Sequence, residues 1–127
     1  QLRLIQLHNY QDILHKLQQL EIKLRNELFL VIKDITPEAY QLSHTATLGD
    51  IIDYLPQIKL ADSDLFTQLM KLDAASCQLD LGLYGLCSDC ELDIELDRLQ
   101  RDPTEQRCGS CQQKYLNEHR LELRLNH

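Results

Sequence analysis

Two Cys-x-x-Cys pairs near the C-terminal end constrain this chain more than any other feature of its sequence. Cys87 and Cys90 form the first pair, Cys108 and Cys111 form the second, and 17 residues separate the pairs. Each pair can place two sulfurs on one side of a tight turn, so two pairs can surround one ion as a tetrahedron. Four sulfur ligands suit zinc and leave no open position for water. The spacing therefore predicts one structural Zn2+ held by all four cysteines.

A fifth cysteine, Cys77, stands apart from these pairs. An odd number of cysteines argues against a disulfide framework. Four unlinked thiols and a redox Cys-x-x-Cys pair are the alternatives, but two pairs without a β-α-β pattern favour a metal. We expect Cys77 to be a small packed hydrophobic side chain.

Composition and charge exclude several classes of function. The net charge of −7 argues against nucleic acid as the main partner, because phosphate backbones require positive faces. No nucleophile–base pair and no glycine-rich phosphate loop is visible, so we expect no enzyme activity. No run approaches the roughly 18–20 apolar residues of a membrane span. The start of the chain lacks a basic segment followed by an apolar block, which predicts a cytoplasmic protein.

Two heptad stripes predict two long helices. The first stripe lies in residues 1–35, has one polar interruption at Glu21, and predicts a helix of about 30 residues. The second predicts a helix of about 20 residues that begins after Asp62 or Ser63 and ends at Gly82 or Gly85. The first stripe contains Leu7, Tyr10, Leu14, Leu17, Glu21, Leu24, Leu28, Val31 and Ile35, and the second contains Leu65, Leu69, Leu72, Ser76, Leu79 and Leu83. The simplest packing is a long antiparallel helical hairpin, or coiled coil.

The connector between the stripes, at about residues 36–61, is predicted to form a compact tip of short helical pieces. Thr36-Pro37 suggests the start of one piece, and Pro56 ends another. In an alternative, Ile51, Leu55 and Ile58 extend the second stripe backwards through a kink at Pro56.

Beyond Tyr84 the pattern changes. Leu92, Ile94 and Leu96 alternate with acidic residues, which suggests a short half-buried strand, with a helical turn towards Arg98 as the alternative. Residues 112–125 are predicted to form a terminal helix. The predicted fold is therefore mainly α, with a helical hairpin over residues 1–84 and a four-cysteine zinc ribbon plus terminal helix over residues 85–127.

The residues around the cysteines carry a wider motif. It runs through Gly82-Leu83-Tyr84-Gly85-Leu86-Cys87-Ser88-Asp89-Cys90, Ile94, Arg98-Leu99, Pro103 and Cys108-Gly109-Ser110-Cys111-Gln112. These residues resemble the C-terminal signature of the DksA/TraR zinc-finger family. The resemblance implies a bacterial protein that inserts a coiled-coil hairpin into the secondary channel of RNA polymerase. It also implies that acidic residues at the hairpin tip approach the active centre and alter open-complex stability, without sequence-specific DNA binding.

Four aspartates are candidates for these tip acids. Asp50 and Asp53 supply the acids of the family's Asp-x-x-Asp-x-Ala motif, although Tyr54-Leu55 follows them here, and Asp62 and Asp64 form a second pair. Each is alternatively a solvated or helix-capping residue. A second hypothesis is an interaction module that keeps the zinc finger but has a different partner. Its apolar tip residues would form a small hydrophobic subdomain or a dimer contact; they are Ile51, Ile52, Tyr54 and Leu55.

Charged residues surround the predicted zinc site. Glu91 occupies a position where the family often has glycine, which predicts mild backbone strain. The acidic side chains would repel phosphates, and the basic ones could offset the charge of −2 that four thiolates give a zinc ion. The acidic residues are Asp89, Glu91, Asp93, Glu95 and Asp97; the basic ones are Arg98, Arg101, Arg107 and Lys114.

Overall fold

A computed structural model of the protein describes residues 4–125, with side chains described over residues 10–119. Within this range the protein is mainly helical and has no β-strand, which confirms the mainly α prediction. Its four-cysteine cluster lies near the C-terminal end. The elements are α1 (Leu4–Ile32), a π-helix (Gln41–Thr45), α2 (Leu48–Tyr54), a 3-10 helix (Leu55–Ile58), α3 (Asp64–Asp80), α4 (Leu96–Arg101) and α5 (Gly109–Leu125).

Helix α1 has 29 residues and contains neither glycine nor proline. It packs against α3 and against the π-helix. Its core side chains are Ile13, Leu17, Leu24, Leu28 and Ile32. Most of the side chains that the structure buries on α1 and α3 belong to one continuous core, so the two helices are stabilised mainly by shared apolar burial.

The first stripe is confirmed at Leu17, Leu24 and Leu28 but is wrong at its end. Val31 and Ile35 are 44% and 53% exposed, and Ile32 is buried in their place. A straight helix drifts by about 20° per heptad against a strict 3.5-residue repeat, so its core-facing position shifts along the sequence. The side chain of Leu7 lies outside the described residues.

Helix α3 begins and ends with strong local signals. The Ser63 hydroxyl oxygen accepts a hydrogen bond from the Phe66 N–H at 3.1 Å, which confirms Ser63 as the N-cap. At the other end Gly82 has a φ of 75°, and the Leu83 N–H donates to the Gln78 carbonyl at 2.8 Å. This pattern is a Schellman motif, which requires a residue that tolerates positive φ. The predicted stop at Gly82 is therefore confirmed.

The second stripe is confirmed at Leu69, Leu72 and Leu79. It is wrong at Leu83, which is 47% exposed because it follows the helix end. Ala75, rather than Ser76, contributes the buried side chain on that turn.

The connector forms the predicted set of short helical pieces. Ile51 and Leu55 are 1% and 0% exposed, so α2 and the 3-10 helix bury one apolar side against the core. Lys59 has a φ of 64°, in the left-handed region, and separates the 3-10 helix from α3. The alternative of one helix kinked at Pro56 is therefore wrong.

The predicted strand and ribbon after Cys90 are also wrong. A single isolated bridge joins Leu86 and Asp93, and α4 follows at Leu96. Ile94 is buried at 3% exposure, but Leu92 and Leu96 are 70% and 60% exposed, so the alternation does not form a continuous buried face. The N–H groups of residues 98 and 99 donate to the Glu95 carbonyl, which starts a helical turn where a strand would need a further partner. The terminal helix is confirmed, with a start three residues earlier than predicted.

Over residues 4–125, no helix is both long and apolar enough to cross a bilayer.

Candidate metal centre

The structure brings the four predicted cysteines together. Their Sγ atoms all lie within 4.8 Å of one another, and the Sγ atoms of Cys90 and Cys108 are 3.9 Å apart. A tetrahedral zinc ion with Zn–S bonds of about 2.3 Å requires sulfurs separated by about 3.8 Å. The spacing of the thiols thus fits one zinc ion without a rearrangement of the backbone.

The first knuckle is a tight turn closed by backbone hydrogen bonds. The Cys87 N–H donates to the Leu92 carbonyl at 2.7 Å, and the Glu91 N–H donates to the Cys87 carbonyl at 2.9 Å. Glu91 has a φ of 65°, a conformation that costs a residue with a side chain more than it costs glycine. The strain predicted at Glu91 is confirmed by this conformation.

The second knuckle lies at the start of α5. The Gln112 N–H donates to the Cys108 carbonyl at 2.9 Å, and the Cys111 N–H points at the Cys108 Sγ atom at 3.5 Å. The Glu95 carboxylate accepts the Gly109 N–H at 3.0 Å, which satisfies one of the free donors of the first turn. A Cβ atom on Gly109 would lie 3.1 Å from this carboxylate, so glycine permits the close approach.

The cysteines differ in burial and in proton affinity. Cys87 is 1% exposed, whereas Cys90 is exposed. Burial raises the pKa of Cys87, but backbone N–H groups of Cys108 and Cys90 outweigh it and lower the pKa to about 6. Hydrogen bonding with the Cys108 thiol raises the pKa of Cys111 to about 12. The four thiols therefore do not all ionise together at neutral pH unless a cation compensates their charge.

Among the predicted cations, Arg107 contacts both halves of the site. Its Nε atom lies 2.9 Å from a carboxylate oxygen of Asp89 in the first knuckle. Its guanidinium lies 4.0 Å from the ring centroid of Tyr115 on α5. Arg107 thus joins the first knuckle to α5. Lys114 lines the same cavity as Cys90 and Cys111.

The other two predicted cations are engaged in ion pairs near α4. Arg98 pairs with Glu105 at 2.8 Å and lies 3.9 Å from Glu95, so it supports the segment that leads to the second knuckle. Arg101 pairs with Asp97 at 3.5 Å on a largely exposed surface.

Two contacts that the sequence did not reveal hold the finger in place: one lies within the finger, and the other joins it to α3. The Tyr84 hydroxyl donates to the Pro103 carbonyl at 2.6 Å, and burial together with the Asp102 charge raises the pKa of Tyr84 to about 12. Lys71 on α3 pairs with Asp102 at 3.0 Å. The sequence offers only an aromatic residue beside Gly85 and a lysine within the second predicted helix as signals, and neither specifies its partner.

The remaining predicted site residues lie elsewhere. All four candidate tip acids are exposed: Asp50 and Asp53 on α2, Asp62 before the N-cap of α3, and Asp64 at its first position. Cys77 is exposed on α3, so its predicted packing is wrong; Ala75 and Leu79 occupy the buried positions of those turns.

Fold and site together define a helical protein with a four-cysteine finger positioned to bind one metal ion. Residues 82–115 match the family described as the prokaryotic dksA/traR C4-type zinc finger. The match spans 34 of the 127 residues and includes all four cysteines. Zinc is accordingly the metal of this site. Comparisons of the chain with curated proteins and with solved structures find no match.

Proposed function

We propose that this protein is a cytoplasmic DksA-like transcription regulator that binds RNA polymerase, through its secondary channel, rather than DNA. The observation that carries the proposal is the match of residues 82–115 to the dksA/traR finger, with four thiols spaced for zinc. Members of that family regulate transcription through a hairpin that the finger supports at its base. In this chain Cys87, Cys90, Cys108 and Cys111 would hold the zinc ion.

An antiparallel hairpin of α1 and α3 would be the arm that enters the channel. Two contacts of α1 support this orientation. Ile13, in the first half of α1, lines a cavity with Tyr84 and Leu99 of the finger. Arg25, in the second half, donates to carbonyls of the connector. At 1.5 Å per residue, α1 would give the arm a length of about 44 Å.

The chain would accordingly divide into two functional parts. Residues 1–84 would form the hairpin with its tip at about residues 36–61, and residues 85–127 would form the finger and the terminal helix. The short connection from Gly82 to Cys87 and the Tyr84–Pro103 hydrogen bond support a fixed base.

The tip acids would act near the polymerase active centre. Asp50 and Asp53 are exposed on α2, whose first turn is capped by the Thr47 side chain. Carboxylates held on an ordered helix could perturb the coordination of magnesium or of nucleotide at that centre. Asp62 and Asp64, at the start of α3, are the second pair of candidates.

Charge supports a protein partner rather than a nucleic acid. The net charge is −7. The acidic residues of the finger are exposed; they are Asp89, Glu91, Asp93, Glu95 and Asp97. This surface would repel a phosphate backbone and suits a basic channel.

A second candidate is a zinc-stabilised interaction module with a different partner. It is favoured by the apolar side of the tip, where Ile51 and Leu55 are buried and Ile52 and Tyr54 pack against the core. A tip that needs so much apolar burial could be a small subdomain with a structural role.

The two candidates are separated by a polymerase assay on the zinc-loaded full chain. We expect binding to bacterial RNA polymerase at micromolar concentration, competition with an established family member, and a change in promoter run-off transcription. The double variant Asp50→Asn/Asp53→Asn should keep binding and lose the transcriptional effect. Asp80→Asn, at the opposite end of α3, is the matched control and should retain both. Absence of binding at micromolar concentration would favour the interaction module.

A further inference from the structure

Arg25 makes three hydrogen bonds, one within α1 and two that hold the connector against α1. Its Nε atom donates to the Glu21 carboxylate at 2.8 Å, and its Nη1 atom donates to the carbonyls of Ser43 at 3.0 Å and Ala46 at 2.8 Å. The Arg25 side chain is only 15% exposed. Such charge-assisted bonds, formed away from bulk water, are stronger than neutral ones.

The two carbonyls lie where the backbone lacks its usual partners. The π-helix ends at Thr45, and the Ala46 N–H still reaches back to the Gln41 carbonyl at 3.0 Å. Carbonyls at a helix end have no partner within the helix and carry partial negative charge. The guanidinium supplies both the hydrogen bonds and the compensating charge at this end.

The N-cap of α2 follows directly after Ala46 in the chain. Ala46 precedes Thr47, the N-cap whose hydroxyl oxygen accepts the Asp50 N–H at 3.1 Å. The Ile51 N–H donates to the Thr47 carbonyl at 3.0 Å. The arginine therefore acts one residue before the N-cap of the helix that carries Asp50 and Asp53. Burial of the Ile51 side chain fixes one side of that helix, but does not by itself fix its N-terminal end.

We propose that Arg25 is a positioning residue for α2: its guanidinium, oriented by Glu21, fixes the start of the helix that presents Asp50 and Asp53. The role in transcription rests on the proposed function, whereas the role in ordering α2 does not. Lysine is a poor replacement, because one ammonium group lacks the planar fork that reaches Glu21 and two carbonyls together.

Amide hydrogen exchange tests the positioning role directly. In Arg25→Met we expect exchange at the amides of Asp50 and Ile51 to accelerate by about 10- to 100-fold, the loss expected for a hydrogen bond to a charged group. Exchange at the Leu72 amide, within α3, should stay within about twofold of wild type. A general loss of stability would accelerate exchange at Leu72 as well, so this amide distinguishes a local effect from a global one. Arg101→Met, at an arginine on the exposed surface, is the matched control. Wild-type exchange at Asp50 and Ile51 in Arg25→Met would overturn the proposal.

The polymerase assay then separates positioning from binding. Arg25→Met should bind polymerase within about twofold of wild type, while its transcriptional effect falls by about 10-fold or more, as expected for misplaced functional groups. The transcriptional effect of Arg25→Lys should lie between those of wild type and Arg25→Met. An unchanged transcriptional effect together with accelerated exchange would overturn the link to Asp50 and Asp53. If the wild-type chain has no effect on polymerase, the proposed function fails, and the exchange experiment still decides the role of Arg25.

Glu21→Gln provides a second test if Arg25→Met does not fold. It keeps the arginine and removes only the charge that orients it. We expect faster exchange at Asp50 by a smaller factor than in Arg25→Lys. No change in exchange at Asp50 would show that Glu21 does not orient the guanidinium.

Discussion

The connector of residues 36–61, called the tip here, and the finger of residues 82–115 are stabilised by different interactions. At the tip, apolar side chains such as Ile51 and Leu55 are buried to 1% and 0% exposure and join the core of α1 and α3. The finger has only a few buried side chains, among them Tyr84, Ile94 and Leu99, and its two knuckles converge on four thiols. The comparison teaches that stability of the tip comes mainly from burial, whereas that of the finger requires the metal.

Removal of zinc is the strongest way to break this comparison. In Cys87→Ser, or after chelation, we expect residues 82–115 to lose ordered structure, because structural zinc sites supply about 10–16 kcal/mol of apparent binding free energy. Amide exchange should rise throughout the finger and stay low in α1 and at Ile51. Zinc content should fall well below one ion per chain. Cys77→Ser, which removes an exposed thiol outside the cluster, should keep both zinc and protection. If zinc removal also accelerated amide exchange at the tip, the tip and the finger would not be stabilised separately.

A cavity in the tip gives the reciprocal test. Leu55→Ala removes a side chain that is 0% exposed and should lower the free energy of unfolding by about 2–5 kcal/mol. Urea unfolding measures the loss, and zinc content should remain at one ion per chain. Leu81→Ala, at a position 72% exposed, should change stability by less than about 0.5 kcal/mol. Zinc loss in Leu55→Ala would mean that the metal site depends on the tip.

Loss of a single hydrogen bond within the finger should show a smaller effect. Tyr84→Phe removes the 2.6 Å hydrogen bond to the Pro103 carbonyl and should cost about 1 kcal/mol. Because the folded pKa of Tyr84 is raised from 10.0 to about 12, its contribution is fully present below pH 10 and is lost as pH rises towards 12. Urea unfolding of both proteins between pH 8 and pH 12 should therefore show their difference shrinking above pH 10. If the difference in free energy of unfolding between the two proteins stayed constant across that pH range, the raised pKa of Tyr84 would be contradicted.

Relief of backbone strain is the smallest effect. Left-handed backbone costs a residue with a side chain about 1–2 kcal/mol, and glycine loses about 0.5–1 kcal/mol more entropy on folding, so Glu91→Gly should stabilise the finger by about 0.5–1 kcal/mol. Lys59→Gly is the matched variant at the tip, since its φ of 64° is close to the 65° of Glu91. Thermal unfolding with and without zinc should show the gain from Glu91→Gly only in the loaded protein, and the gain from Lys59→Gly in both. A gain from Glu91→Gly without zinc would mean that the first knuckle forms on its own.

Patterns that depend on local chemistry were predictable from the sequence. The Cys-x-x-Cys spacing identified the metal centre because a zinc ion fixes both the ligand type and the turn. Ser63 and Gly82 were predictable as helix boundaries because each satisfies backbone groups within a few residues. The strand predicted around Leu92 was wrong because alternation of apolar and acidic residues does not reveal whether a second strand is available for pairing.

Contacts between distant segments could not be predicted in the same way. In the sequence, nothing distinguishes Arg25 from a solvated arginine of the first predicted helix. Its partners are nevertheless the carbonyls of Ser43 and Ala46, which lie 18 and 21 residues away. The burial of Ile32, where the heptad stripe predicted Val31, has a geometric cause: α1 follows the repeat of a straight helix and not that of a strict heptad. The partners of Arg25 depend on how the connector folds back, which no short sequence window contains.

The contact of Arg107 with the Tyr115 ring has a practical consequence. The chain contains no tryptophan and five tyrosines, so tyrosine dominates its ultraviolet-excited emission. Tyr84 and Tyr115 both lie in the finger, one bonded to a carbonyl and the other under a guanidinium. Because unfolding of the finger would break both contacts, we expect tyrosine emission to change when zinc is removed, which can be followed without a dye or a tag.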